Sequence, residues 1–257
     1  MTLDLASFGE GEVCLEFSGQ VATLTFSNPE VHNALSGRMM CQLEQAVSEL
    51  ERFDGSVVVL RGAGQSFCSG ADLRVVGQSL NSREAGEHMS SHMQRVLGRL
   101  RNLPLVSVAL VEGVAYGGGA EIITACDHRL VARTARIRFV QAKMGVSVGW
   151  GGGARLVGLV GRESAIRLMT TASVVSPDDA KRIGLATKLF VEGEAESALA
   201  EFVDPILRLP AAAVRANKAA LCPPLGSTDE QVLAHERAIF SERWVSPERA
   251  VAMEKFK

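Results

Sequence analysis

The chain has 257 residues, 47% of them hydrophobic and 22% charged, with a formal net charge of -2. It can build a sizeable core, read here as one main domain over 1–195 with a helical segment over 196–257, and it offers no basic field or cationic stripe for nucleic acid. No apolar run reaches membrane-spanning length, Met1–Glu12 lacks the basic start of a signal peptide, and the cysteines at 14, 41, 68, 126 and 222 form no C-x-x-C pair, so a cytoplasmic protein with reduced thiols is expected.

Apolar residues cluster over Val13–Phe17 and Val21–Phe26 around Ser18-Gly-Gln20, which predicts a hairpin. From Ser36, a plausible N-cap, the spacing of Met39, Met40, Leu43, Ala46, Val47 and Leu50 is helical. The Val-rich run 57–61 predicts a buried strand feeding a loop that begins at Gly62 and Gly64. A polar region to about residue 88, a helix near 89–102 and a strand over 105–111 follow. The pattern turns mostly helical after about residue 195, with helices over 194–208, 210–221 and 228–241 and a last one from Pro247. The recurrence of strand, loop and helix predicts a right-handed α/β layout.

The strand over 105–111 runs into Gly117-Gly-Gly119 and then a helix that carries Glu121 in its first turn. Glycines let main chain approach a ligand closely, and a helix start presents unpaired N–H groups and the positive end of its dipole. Negative charge developing on a ligand oxygen is stabilised by such donors, and Glu121 is close enough to exchange a proton with whatever they hold. A second half of the same kind is Gly64-Gln-Ser-Phe-Cys-Ser-Gly-Ala-Asp-Leu73, where Gly70 frees the backbone around Ala71 so that its N–H can meet that of Gly118. Each piece has a plainer reading: three glycines also make a tight turn, and a first-turn Glu also caps a helix.

Phe67-Cys-Ser-Gly-Ala-Asp-Leu73 followed by Gly117-Gly-Gly-Ala-Glu121 resembles the crotonase, or enoyl-CoA hydratase/isomerase, superfamily. Asn28-Pro-Glu-Val-His-Asn-Ala-Leu35, Ala125-Cys-Asp-His-Arg-Leu130 and Gly149-Trp-Gly-Gly-Gly-Ala-Arg-Leu156 extend the resemblance over most of the chain. It implies a spiral of ββα units with a C-terminal helical oligomerisation segment that assembles homotrimers or hexamers. It also implies an acyl-CoA substrate whose thioester oxygen lies between the N–H groups of Ala71 and Gly118. Ser69, Gly70, Asp72, Leu73, Gly117 and Gln141 would line that site, with His32 and the tail lysines Lys255 or Lys257 as cations for the coenzyme A phosphates. No cofactor is expected, since coenzyme A belongs to the substrate.

Hydratases of this superfamily use two glutamates. Glu121 matches the first, whereas Arg138-Phe-Val-Gln-Ala-Lys-Met-Gly145 offers Gln141 and no acid in the region of the second. A neutral amide cannot take a proton from water, and each general acid or base contributes about 10²–10⁴-fold. Loss of carbon dioxide from a malonyl-type thioester needs an oxyanion hole and one proton donor. Met39-Met-x-Gln-Leu, Ile137-Arg-Phe-Val, Met144-Gly and Trp150-Gly-Gly are similar to a decarboxylating branch of the family acting on ethylmalonyl-CoA and methylmalonyl-CoA, a repair role in fatty-acid metabolism. Glu121 would then protonate the enolate, and Trp150 and Met144 would wall the pocket for the leaving carboxylate. A hydratase or isomerase using Glu121 alone is the alternative.

Gly145-Val-Ser-Val-Gly149 matches G-x-S-x-G, with Asp204 or Asp229 and then His235 in hydrolase order, but no buried strand precedes it and no helix starts at once after it. His88 and His92 are spaced i, i+4, yet no third metal ligand has supporting spacing.

Overall fold

A computed structural model describes residues 5–74, 82–224 and 226–254. The predicted hairpin is β1 (Glu12–Ser18) paired antiparallel with β2 (Val21–Ser27) across the short turn at Gly19 and Gln20. Ser36 caps α1 (Gly37–Leu50) by accepting from the Met39 N–H, and the helix buries the face predicted from Met39, Met40, Leu43, Ala46, Val47 and Leu50. β3 (Val57–Gly62) buries Val57 to Leu60 on both faces, as expected of a continuous Val run in a parallel sheet.

α2 (Arg83–Asn102) begins well before the expected helix near residue 89. Ser82 caps it by accepting from the Ala85 N–H, and its first turns carry Glu84, Glu87 and His88 on an exposed face. Polar turns of that kind have no apolar period to read, so the cap rather than the core sets this start.

β4 (Val106–Val111), β5 (Val114–Tyr116) and α3 (Gly118–Ile123) make one complete ββα turn, and β6 (His128–Ala132), β7 (Arg136–Arg138) and α4 (Gly152–Thr171) make the next. β8 (Val174–Val175), α5 (Pro177–Arg182) and β9 (Lys188–Phe190) close the spiral. The first strand of each turn joins a six-stranded sheet ordered β1-β2-β3-β4-β6-β9, parallel beyond the opening hairpin. The second strand joins a smaller sheet ordered β5-β7-β8, to which Cys68 adds a single bridge opposite Ala115. This second layer carries each glycine turn from sheet to helix, and it is what brings residues near 68 beside residues near 116.

One apolar cluster runs from Ala22 to Val203. α6 (Ala195–Leu207) contributes Ala198 and Val203 to it, and α7 (Ala211–Ala220) is pinned by Lys218, whose ammonium donates to the Leu105 carbonyl and the Asp127 carboxylate, each at 2.6 Å. α8 (Asp229–Trp244) and α9 (Pro247–Glu254) bury none of their residues. Among the described residues, no helix is long and apolar enough to cross a membrane.

Candidate active site

Two backbone turns meet at Gly70 and Gly118. The Leu35 N–H donates to the Gly70 carbonyl (2.7 Å) and the Asp72 N–H to the Leu35 carbonyl (2.9 Å), so this short parallel bridge uses the groups on either side of the Ala71 N–H. The Tyr116 N–H donates to the Cys68 carbonyl (3.0 Å), which pulls the second turn against the first. An added Cβ at Gly70, whose φ is +103°, would lie 2.9 Å from the Gly118 nitrogen and 3.1 Å from the Tyr116 oxygen. At Gly119 it would lie 2.0 Å from the Cys68 oxygen. Only glycine permits this approach. Among the described residues, the N–H groups of Ala71 and Gly118 donate to no acceptor. A thioester oxygen turning anionic requires unspent donors of this kind aimed at one point.

Gly117 starts α3 with φ +51° and donates its own N–H to the Arg138 carbonyl (2.9 Å), while Val140 Cγ2 packs 3.2 Å from the place its Cβ would take. That contact brings the 138–141 run along the glycine turn. Trp150 lies over the same turn: its Cζ3 is 2.2 Å from the Cβ position of Gly118, and the ring is 4% exposed. An indole at that distance covers the glycine turn on one side.

Glu121 is 2% exposed and surrounded by donors. Its Oε1 accepts from Gln141 Nε2 (2.9 Å) and the Gly149 N–H (3.3 Å), and its Oε2 accepts from the N–H groups of Trp150 and Gly152, each at 2.8 Å. A carboxylate offers about four lone-pair directions, so these four donors use them all. Were Glu121 to carry the enolate's proton, as the sequence leads one to expect, its carboxyl hydrogen would displace one of these four N–H bonds. Glu121 anchors the 149–152 turn and, through it, the Trp150 ring.

The other expected site residues divide. Gln141, 9% exposed at the head of a short 3-10 turn (Gln141–Met144), is brought to Glu121. Met144 is exposed rather than packed with Trp150 in a shared wall, and Leu73 is also exposed. Ser69 spends its hydroxyl on the Val31 carbonyl (2.8 Å). Asp72 is buried but holds Arg74, whose Nε and Nη2 donate to it at 3.0 and 2.7 Å, so its carboxylate serves the loop rather than a ligand. His32 has a left-handed backbone (φ +53°), pairs through Nδ1 with Ser66 Oγ (3.1 Å) and accepts the Ser69 N–H on its carbonyl. Lys255 and Lys257 lie outside the described residues.

Arg155 was not anticipated. Its Nη2 donates to the carbonyls of Trp150 (2.8 Å) and Glu121 (3.3 Å), and its Nε donates to Thr124 Oγ1 (3.0 Å), tying α4 to α3 behind the site. Burial pulls its guanidinium below the usual arginine range. Its place four residues beyond Gly151, in the Gly-Gly-Gly-Ala-Arg run, is the signal that was available.

Ser147 makes no nucleophile elbow. It is exposed, its hydroxyl reaches only the Val148 carbonyl (3.4 Å), and His235 is bonded to the Ala219 carbonyl (2.9 Å). His92 turns inward to the Met40 carbonyl (3.2 Å).

A family model described as enoyl-CoA hydratase/isomerase matches residues 16–257. A zebrafish (Danio rerio) protein named ethylmalonyl-CoA decarboxylase is 42% identical, over 93% of this chain and 80% of its own length. A human protein of the same name is 36% identical, over 98% and 83%. Among solved structures, an enoyl-CoA hydratase from Bacillus anthracis superposes with a TM-score of 0.88 at 25% identity, covering 95% of each chain. A Thermobifida fusca protein in complex with CoA gives 0.81 at 31% identity, covering 90% of this chain and 92% of that one.

Proposed function

The chain belongs to the enoyl-CoA hydratase/isomerase family, and from that premise we propose that it is an acyl-CoA decarboxylase acting on ethylmalonyl-CoA or methylmalonyl-CoA. The observation that carries this reading is that Glu121 is paired with an amide, Gln141, rather than with a second carboxylate. Hydration needs a base to activate water and an acid to protonate carbon. Decarboxylation needs neither for its first step, because the electron pair of the breaking Cα–carboxylate bond flows into the thioester carbonyl, and the resulting enolate oxygen is held by the Ala71 and Gly118 N–H groups. Removing one such donor costs about 10²–10³-fold in comparable sites.

The leaving carboxylate lies against the Trp150 wall, where poor hydration favours its departure as neutral carbon dioxide. No cofactor enters, since coenzyme A arrives with the substrate. His32 and the tail lysines Lys255 and Lys257 are proposed for its phosphates. A homotrimer or hexamer, a cytoplasmic location and removal of stray carboxylated acyl-CoA from fatty-acid metabolism complete the reading. The unburied helices α8 and α9, with Phe240, Trp244 and Val251 exposed, favour assembly.

The experiment offers ethylmalonyl-, methylmalonyl- and crotonyl-CoA separately and follows inorganic carbon release against hydration. Carbon release from the first two is expected, with crotonyl-CoA hydration at least about 10²-fold slower. Crotonyl-CoA turnover that matches or exceeds decarboxylation would favour a hydratase or isomerase using Glu121 alone.

A further inference from the structure

Gly149, Trp150 and Gly151 lead into α4 without regular structure of their own, and Gly151 opens the helix with φ +80° and no side-chain cap. The chain before them is exposed from Ala142 to Ser147. Yet their peptide groups are gripped by side chains from three helices. Glu121 of α3 accepts the N–H groups of Gly149, Trp150 and Gly152, and Arg155 of α4 donates to the Trp150 carbonyl. The Gly149 carbonyl is met from α2, where Ser90 Oγ donates to it at 2.6 Å and Gln94 Nε2 at 2.9 Å. Gln94 Nε2 also donates to Ser90 Oγ (3.1 Å), so one hydroxyl hydrogen and two amide hydrogens close a triangle in which both lone pairs of the carbonyl are filled. A carbonyl only accepts, which puts Nε2 rather than the amide oxygen of Gln94 on this side.

Ser90 and Gln94 stand one turn apart at the rim of the α2 face that buries Met93, Val96, Leu97 and Leu100, so the clamp is rooted in the core. Gln94 itself is exposed, where water would satisfy its amide without ordering the side chain. Its Cγ lies 3.7 Å from the place a Cβ of Gly151 would take, so its stem passes over the turn as well. What the turn carries is Trp150. Three atoms of its ring, Cζ3, Cη2 and Cε3, lie 2.2, 2.5 and 2.6 Å from the place a Cβ of Gly118 would take. A ring so close leaves the Gly118 peptide no room to shift toward it, and Gly118 carries one of the two N–H groups proposed for the thioester oxygen. We infer that Ser90 and Gln94 are positioning residues for turnover: by fixing the Gly149 carbonyl they keep the Trp150 ring on Gly118 and so limit the movement of its N–H. The inference rests on the decarboxylase reading.

The double variant Ser90→Ala, Gln94→Met removes both donors and leaves good helix formers on α2. Trp150 and Trp244 are the two tryptophans of the chain, so in Trp244→Phe protein Trp150 is the single reporter. A buried ring released into local motion meets solvent more often, and acrylamide quenching of Trp150 should rise at least about 2-fold when the double variant is added to Trp244→Phe. With ethylmalonyl-CoA the double variant should keep KM within about 2-fold and lose about 10-fold or more in kcat, since a misplacement of about 1 Å costs up to about 10²-fold. Ser90→Thr, which retains the hydroxyl, should keep the kcat that Ser90→Ala loses. Unchanged quenching overturns the inference, because the ring would then be held without α2. Raised quenching with unchanged kcat overturns it too, since the clamp would be structural only, as does an equal loss of kcat in Ser90→Thr and Ser90→Ala. A rise in KM at unchanged kcat has the same force, because the two side chains would then serve binding. If the unaltered protein releases no carbon from ethylmalonyl-CoA, the decarboxylase reading falls, and the quenching comparison still decides whether α2 holds the ring.

Discussion

The turn at Gly117–Gly119 and the tail helix α8 follow opposite rules. In the turn, an added Cβ at Gly118 or Gly119 would meet the Trp150 ring or the Cys68 carbonyl at under 3 Å, so each residue's identity is dictated by neighbours far away in sequence. In α8, Thr228 and Gln231 form a reciprocal capping box, Phe240 and Trp244 stack at 5.2 Å between centroids, and no residue is buried. The turn is specified by tertiary contact and has almost no local signal beyond its glycines. The helix is specified locally and buries no residue, meeting its own chain at α7, where His235 bonds to the Ala219 carbonyl. The proposed chemistry sits in the first kind of region, because two amides can be aimed at one oxygen only where the surroundings leave the backbone no alternative.

Substituting glycines that differ only in their surroundings tests this most severely. Gly70 and Gly145 both have positive φ, +103° and +71°, but a Cβ at Gly70 would press on the Gly118 nitrogen whereas at Gly145 it meets nothing within 4 Å. Both alanine variants should bear backbone strain of about 1 kcal/mol. Only Gly70→Ala should also lower decarboxylation by about 10²–10³-fold, because it separates or covers the paired N–H groups. Equal activity in the two variants would mean that the close approach at Gly70 has no part in turnover.

A second test removes the anchor rather than the hole. Glu121→Leu deprives three backbone N–H groups and the Gln141 amide of their acceptor, and each buried donor left unpaired costs about 1–3 kcal/mol. Stability to urea should fall by about 3 kcal/mol or more, with loosening of Trp150 visible in its fluorescence. An unchanged urea midpoint would show that the 149–152 turn holds itself and that Glu121 is not its anchor.

Much of the frame was legible in the sequence because local and tertiary signals agreed there. Ser36 caps where it was expected, Val57 to Leu60 form the buried strand, and the turns at Gly70 and Gly118 pack against each other. Less was readable where a signal was short or nonlocal. β7 and β8 have three and two residues, too few for a period to register. The start of α2 lies on a polar face, so the hydrophobic pattern placed it late. In the site, Gln141 is expected from the sequence as a substrate-lining residue and as the place of a missing acid, not as the partner of Glu121. Its role depends on which way its amide points, and that is set by Glu121, which is itself set by three N–H groups of a turn about thirty residues further on. No spacing rule carries a chain of dependence of that kind.

The gentlest test acts on the tail. If α8 and α9 find their packing on other copies of the chain, Phe240 and Trp244 lie in an interface and the unaltered protein sediments as a trimer or hexamer. Trp244→Asp places a charge on that face and removes the ring on which Arg249 stacks at 3.9 Å. Because α8 buries nothing against its own core, the variant's folding stability should fall by only about 1–2 kcal/mol, the worth of the Phe240 ring pair and the Arg249 contact. Its assembly should fall apart at micromolar concentration, while each subunit keeps the Ala71 and Gly118 amides in place and most of its turnover. Unaltered sedimentation would put the assembly surface elsewhere on the molecule. A large drop in stability would show that α8 belongs to the fold of the single chain after all, and the contrast with the glycine turn would lose its second term.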